Sequence, residues 1–131
     1  MKLKTILLLL LSCSLSPAFA GDTTPLAQFD YWSGQAGQPG NAQQGNLFFN
    51  NTHAGKWSCA SCHGAVPITE GKHASTSKLI KPLAPAANPQ AFTDTAKIEK
   101  WFRRNCKDVL ERECSPTEKA DVLAYLLSLK L

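Results

Sequence analysis

The sequence predicts an all-α domain of about four helices, and three observations carry that expectation. Apolar residues recur at helical rather than alternating spacing in four segments, and capping residues open three of them. A Cys59-Ala-Ser-Cys62-His63 run lies between the second and third segments with no strand-rich pattern around it. Residues 64 to 92 hold Pro67, Pro82, Pro85 and Pro89, which argues against long regular structure there. So long a loop in a small domain is usually functional or wrapped around something.

Thr24 and Pro25 read as the N-cap and first residue of a helix over about 24 to 36, with Leu26, Phe29 and Trp32 following at three-residue spacing. Residues Gln35 to Gly40 break it. Asn41 caps a second helix carrying Leu47, Phe48 and Phe49, in which Gly45 offers a point of close approach for another helix. The third helix, near Asp94 to Cys106, puts Ile98, Trp101 and Phe102 on one face and gathers Lys100, Arg103, Arg104 and Lys107 on the other. At about 100° per residue Asn105 falls in the middle of that apolar stripe, where burying an unpaired amide would cost about 1 to 3 kcal/mol. It therefore needs a partner. Ser115-Pro116-Thr117-Glu118 is a capping box with Pro at the first helical position, and it opens a last helix striped by Val122, Leu123, Leu126 and Leu127, with Tyr125 alongside. That helix should cross the one containing Gly45 to Phe49.

The Cys59 to His63 run has the spacing of a c-type haem attachment site. Its two thiols can form thioethers with the two haem vinyl groups, and His63 then points at the iron. A zinc site built from Cys59, Cys62, Cys106 and Cys114, or a redox pair of Cys59 and Cys62, would not need a His directly after the second Cys. One covalently held haem c is thus the expected cofactor. The commonest electron-carrying relatives of such sites complete the iron with a downstream Met. Here the only Met is Met1, so another residue, water or nothing must take the sixth position. His53 and His73, each ten residues from His63, are competing candidates for it. Leu83, in an extended Lys81 to Pro85 run, is either a haem-edge contact or part of an ordinary surface connection.

Residues 1 to 20 read as a secretory signal: Lys2 and Lys4, an apolar run from Ile6 to Leu11, and Ala18-Phe19-Ala20 as a cleavage site before Gly21. The run is too short for a membrane span, and Leu11 fits poorly with a lipid anchor at Cys13. A periplasmic protein with one domain over residues 21 to 131 is expected. Its net charge falls from +4 to +2 when the two signal lysines leave, and no basic run is interleaved with aromatics, so nucleic acid is not a partner. Once haem has taken two of the four remaining cysteines, Cys106 and Cys114 are left in an oxidising compartment, where a disulfide is the default.

Helices crossing near the ends of the chain, with haem between them and its middle, form the architecture of class I c-type cytochromes. More specifically, Asn88-Pro89, Phe92-Thr93-Asp94, Lys100 to Cys106 and Arg112-Glu113-Cys114, with Cys59 to His63 and Glu118 to Asp121, resemble the sphaeroides haem protein family of small monohaem cytochromes. The resemblance covers nearly all of the chain after residue 20. It implies that Asn105, just before the first disulfide Cys, is the sixth ligand of the oxidised protein, and that Cys106 and Cys114 are the paired cysteines. The related cytochrome c double-prime proteins carry a His at that point, so Asn105 favours the first group. Trp101 and Phe102 are then expected beside the haem.

An amide oxygen is a hard, weak ligand that suits ferric better than ferrous iron. The expectation is electron transfer with an Asn105 bond that opens on reduction, admitting oxygen, carbon monoxide or nitric oxide. The alternative is a closed-site periplasmic carrier. The resemblance also implies dihaem cytochrome c and membrane cytochrome b as redox partners. The sequence places no proton donor over the open face, so no dedicated enzyme activity is assigned, and slow oxidase or nitric oxide chemistry is the turnover such a site would permit.

Overall fold

The computed structural model describes residues 21–131; the expected signal segment and Cys13 lie outside them. The four expected helices are present, and a further single turn carries the haem motif. Helix α1 (Pro25–Ala36) starts where Thr24 Oγ1 accepts the Ala27 N–H at 3.1 Å and ends at Gly37, whose left-handed φ of 72° suits glycine. Trp32 is buried and Phe29 half-buried, but Leu26 is exposed. Each three-residue step falls about 60° short of a full turn, so Leu26 lies about 120° around the helix from Trp32. Gln28, four residues before Trp32, takes the inward place and donates to Thr23 Oγ1 at 3.2 Å.

Helix α2 (Ala42–Asn50) is capped by Asn41, whose own N–H donates to Asp121 Oδ1 at 2.6 Å. Gly45 is buried against helix α5 (Pro116–Ser128), where an added Cβ would run into the Asp121 carbonyl and lie 2.9 Å from Tyr125 Cβ. The predicted crossing is thus a backbone contact. It buries Phe49 with Val122, Tyr125 and Leu126, while Leu47 faces solvent. Helix α1 packs on the same α5, enclosing Trp32, Ala120 and Leu123. Leu127 is only half-buried; Ala120 and Tyr125 do more to fill the inner side of α5.

The turn α3 (Ala60–His63) is followed by a two-stranded antiparallel hairpin, β1 (Gly71–Lys72) and β2 (Leu79–Ile80), in which Gly71 pairs with Ile80. Helix α4 (Thr95–Leu110) runs one turn past the predicted Cys106 end because Val109 and Leu110 continue its buried stripe. Its apolar face is rotated from the expected one. Ile98, Cys106, Val109 and Leu110 are buried and Phe102 half-buried, whereas Asn105 is exposed and Trp101 is 49 % exposed. Against the protein's own atoms Asn105 therefore lies on the rim of the stripe, not at its centre.

Cys106 and Cys114 form a disulfide with a Cα–Cα distance of 5.5 Å, joining α4 to the start of α5. Closing so short a loop stabilises by about 2 to 3 kcal/mol on the chain-entropy account. The same corner holds the capping box and a two-bond pair from the Arg112 guanidinium to Glu118, at 2.7 and 2.8 Å. That pairing, with the Ser115 bonds, holds the Glu118 carboxyl below its ordinary value despite partial burial.

Two tests follow from this packing. Gly45→Ala should lower the unfolding free energy by about 1 to 3 kcal/mol, because backbone on α5 has to move, and guanidinium denaturation of the holoprotein would measure it. The depressed Glu118 pKa means that the folded state binds fewer protons there than the unfolded state. Its stabilising contribution is complete above the unfolded value and disappears as pH falls through the folded one. Glu118→Gln should flatten the acid limb of a Tm-versus-pH profile.

Candidate functional site

The chain leaving α2 is pinned before it reaches the motif. His53 Nε2 lies 2.8 Å from the Phe48 carbonyl, and its ring rests on Phe48 at 4.5 Å between centroids. A carbonyl only accepts, so Nε2 carries the proton and donates. That engages one His53 nitrogen with α2. Gly55 donates to the Val109 carbonyl at 3.1 Å, holding the connection to the end of α4.

Ser58 and Ser61 bracket Cys59 reciprocally: Ser58 N–H donates to Ser61 Oγ at 3.0 Å, and Ser61 N–H to Ser58 Oγ at 3.2 Å. The pair's three-residue spacing is that of a local cap, a signal the sequence carries. The turn then closes with His63 N–H donating to the Cys59 carbonyl at 3.1 Å. Both thiols on it are free and half-buried. Burial pushes the Cys59 thiol up to about 11, opposed by a backbone hydrogen bond and aided by neighbouring Cys62. A dithiol redox pair needs the opposite shift. The Cys106–Cys114 disulfide likewise removes two thiols from the four-cysteine zinc set.

The hairpin covers the far side of the turn. An added Cβ at Gly71 would strike the Cys62 carbonyl and lie 3.0 Å from His63 Cα, and Ala74 N–H donates to Cys62 Sγ at 3.3 Å. His73 belongs to this hairpin, its Nδ1 lying 3.3 Å from the Thr76 N–H and 3.2 Å from Ser75 Oγ. One His73 nitrogen is thereby occupied in shaping the turn.

His63 packs against Phe49, and Phe49 against Tyr125, at centroid distances of 6.2 and 5.6 Å. Burial lowers the His63 pKa, favouring the neutral imidazole that binds metals. Its Nδ1 is buried with no hydrogen-bond partner. Just beyond, Tyr125 OH donates to the Ala65 carbonyl at 2.7 Å, tying the exit of the motif to α5.

Cys59, Leu83, Phe92 and Phe102 all pack around the Phe49, Val122, Tyr125 and Leu126 cluster. The loop that supplies Leu83 is anchored where the buried Pro67 carbonyl accepts the Leu83 and Ala84 N–H groups at 3.1 and 3.0 Å. Asn88 Nδ2 adds a bond to the Pro82 carbonyl at 2.9 Å. Phe92 is a wall residue that periodicity could not identify, since it sits in a loop at φ 59°. Trp101 is not in this apolar cluster; the Lys100 ammonium and the Arg104 guanidinium lie 5.6 and 5.3 Å from its ring centroid. Asn105, one helical turn after Trp101, is exposed next to the buried Cys106.

The donor set fits one haem c. Two unpaired thiols lie on one turn, a neutral imidazole carries a buried Nδ1 with no hydrogen-bond partner, and Leu83, Phe92 and Phe102 are apolar contacts on the neighbouring segments.

Comparison with known proteins agrees with this chemistry. Residues 35–126 match a family model described as a domain of unknown function (DUF1924). The chain is 46 % identical over 123 residues to the cytochrome c-type protein SHP of Cereibacter sphaeroides, covering 90 % of this chain and 95 % of that protein. Its fold superposes on oxidised SHP, described as an oxygen-binding cytochrome c, with a TM-score of 0.78 and 43 % identity over 83 % of this chain and all of that one. A solution structure of Methylophilus methylotrophus cytochrome c'', described in terms of haem-ligand detachment, gives a TM-score of 0.73 and 34 % identity over 82 % and 94 % of the two chains.

Tyr125→Phe should cost about 0.5 to 1.5 kcal/mol in chemical denaturation of the holoprotein through loss of the bond to Ala65. An undiminished stability would show that this bond does not hold the motif's exit.

Proposed function

Since the chain belongs to the c-type cytochrome family that includes SHP and cytochrome c'', and its cofactor is therefore haem c, we infer that it is an exported electron-transfer protein whose sixth ligand, Asn105, leaves on reduction to admit small diatomics. The observation that carries this reading is a strong donor on one side without an equal on the other. His63 is held by Phe49, the hairpin and the Tyr125 bond, whereas no Met follows the motif.

Cys59 and Cys62 would hold the haem covalently, and His63 would be its constant iron ligand. When bound, the haem would supply a one-electron couple and an iron able to take one further ligand. Asn105 can offer that iron a carboxamide oxygen, a hard donor whose preference for ferric iron weakens on reduction. The Cys106–Cys114 bridge, starting one residue later, limits how far this part of α4 travels when the side chain withdraws. His73 Nδ1 accepts from the Thr76 N–H, which puts the proton of its neutral ring on Nε2 and leaves that ring no lone pair for iron while the turn is intact. Leu83 and Phe102 supply apolar contacts, and Trp101 borders the Asn105 side.

Residues 1 to 20 serve as the export signal, residues 21 to 131 form one domain, and the periplasm is the compartment. No helix among the described residues is long and apolar enough to cross a membrane. Electron exchange with a dihaem cytochrome c or a membrane cytochrome b suits such a protein, and diatomics are the ligand class.

Absorption spectra of the ferric and ferrous protein test the reading. Carbon monoxide should shift the ferrous Soret band at once, and Asn105→Ala should alter the ferric spectrum, while His53→Ala and His73→Ala leave it unchanged. A ferrous spectrum indifferent to carbon monoxide, or a ferric change confined to a histidine variant, would favour the closed-site carrier instead.

A further inference from the structure

Helix α4 carries a second feature that ligation does not use. Lys100, Arg103, Arg104 and Lys107 are all exposed on it. Among the described residues the ion pairs are Lys97 with Asp94 and Arg112 with Glu118, and none of these four cations takes part in either. At about 100° per residue they span one continuous face, and Trp101 falls between that face and Asn105. Trp101 is 49 % exposed, with the Lys100 and Arg104 charges 5.6 and 5.3 Å from its ring centre. Among the acids near it, Asp108 lies between Arg104 and Trp101, Glu99 one turn before Arg103, and Glu111 at the end of the helix. At the lower end Arg103 and Lys107 continue into an open cleft of about 310 Å³ with Arg112, Glu111 and Glu113.

An exposed Trp flanked by cations is the residue pairing that anchors protein interfaces, and clustered unpaired positive charge speeds encounter with an acidic surface. We propose that the α4 face formed by Lys100, Arg103, Arg104 and Lys107, with Trp101 at its edge, is the docking surface for an acidic protein electron donor. This rests on the electron-transfer part of the function above and adds where the donor docks: on the outer side of α4, reaching Trp101 at its edge.

Stopped-flow reduction of the ferric holoprotein by a strongly acidic flavodoxin hydroquinone tests this surface. The second-order rate should fall steeply with ionic strength and drop at least tenfold in K100E/R104E. The hairpin control K72E/K78E should stay within twofold of wild type, because its lysines lie on another face. Equal losses in both variants, a loss only in the hairpin variant, or no salt dependence would overturn the assignment. So would tighter sedimentation of the wild type with phosphatidylglycerol vesicles than with the flavodoxin, since that would make the face a membrane contact. The ferric spectrum of K100E/R104E reports ligation separately, so a failed docking site and a failed Asn105 assignment give different results.

Discussion

The backbone contact between Gly45 on α2 and Asp121 on α5 is the constraint on which the rest of the structure depends. Absence of a side chain at one residue lets two helices touch, and that approach buries Phe49 between them, against Tyr125 and beside His63. Tyr125 then reaches out of α5 to hold the chain two residues past the motif. One crossing thus fixes both ends of the turn that presents Cys59, Cys62 and His63. A side chain at residue 45 would displace the entry and the exit together.

The two sides of the site are built with different firmness. On the His63 side, short-range devices overlap: the Ser58 and Ser61 exchange, the Gly71 contact, and the bond from Ala74 to Cys62. On the α4 side, Ile98 and Cys106 are buried, but Asn105 and Trp101 are left on the exposed rim. The disulfide secures the helix close to Asn105 without holding its side chain. On the proposed ligation, such an arrangement would let Asn105 leave the iron while the disulfide keeps its helix in place.

Much of this was legible in the sequence because it is written in local patterns. Thr24, Asn41 and Ser115 open helices as capping chemistry dictates, Gly45 marks the crossing, and Cys59 to His63 announces the cofactor. What escaped depends on long-range packing. Leu26 and Leu47 follow helical spacing yet face solvent, because α1 and α2 each bury a strip too narrow to include them. Phe92 contributes a wall from a loop, where no period exists to read. The rotation of α4 was hidden for a similar reason: the angular average of Ile98, Trp101 and Phe102 did not include Val109 and Leu110, which pull the buried side away from Trp101.

The central claim is a difference in grip between the two axial positions, and it is tested most directly by crystal structures of the holoprotein in both oxidation states. This account predicts His63 Nε2 bound to iron in both, with Asn105 Oδ1 bound in the ferric form and withdrawn in the ferrous form. An Asn105 bond of equal length in both states, or a histidine other than His63 on the iron in either, would contradict it.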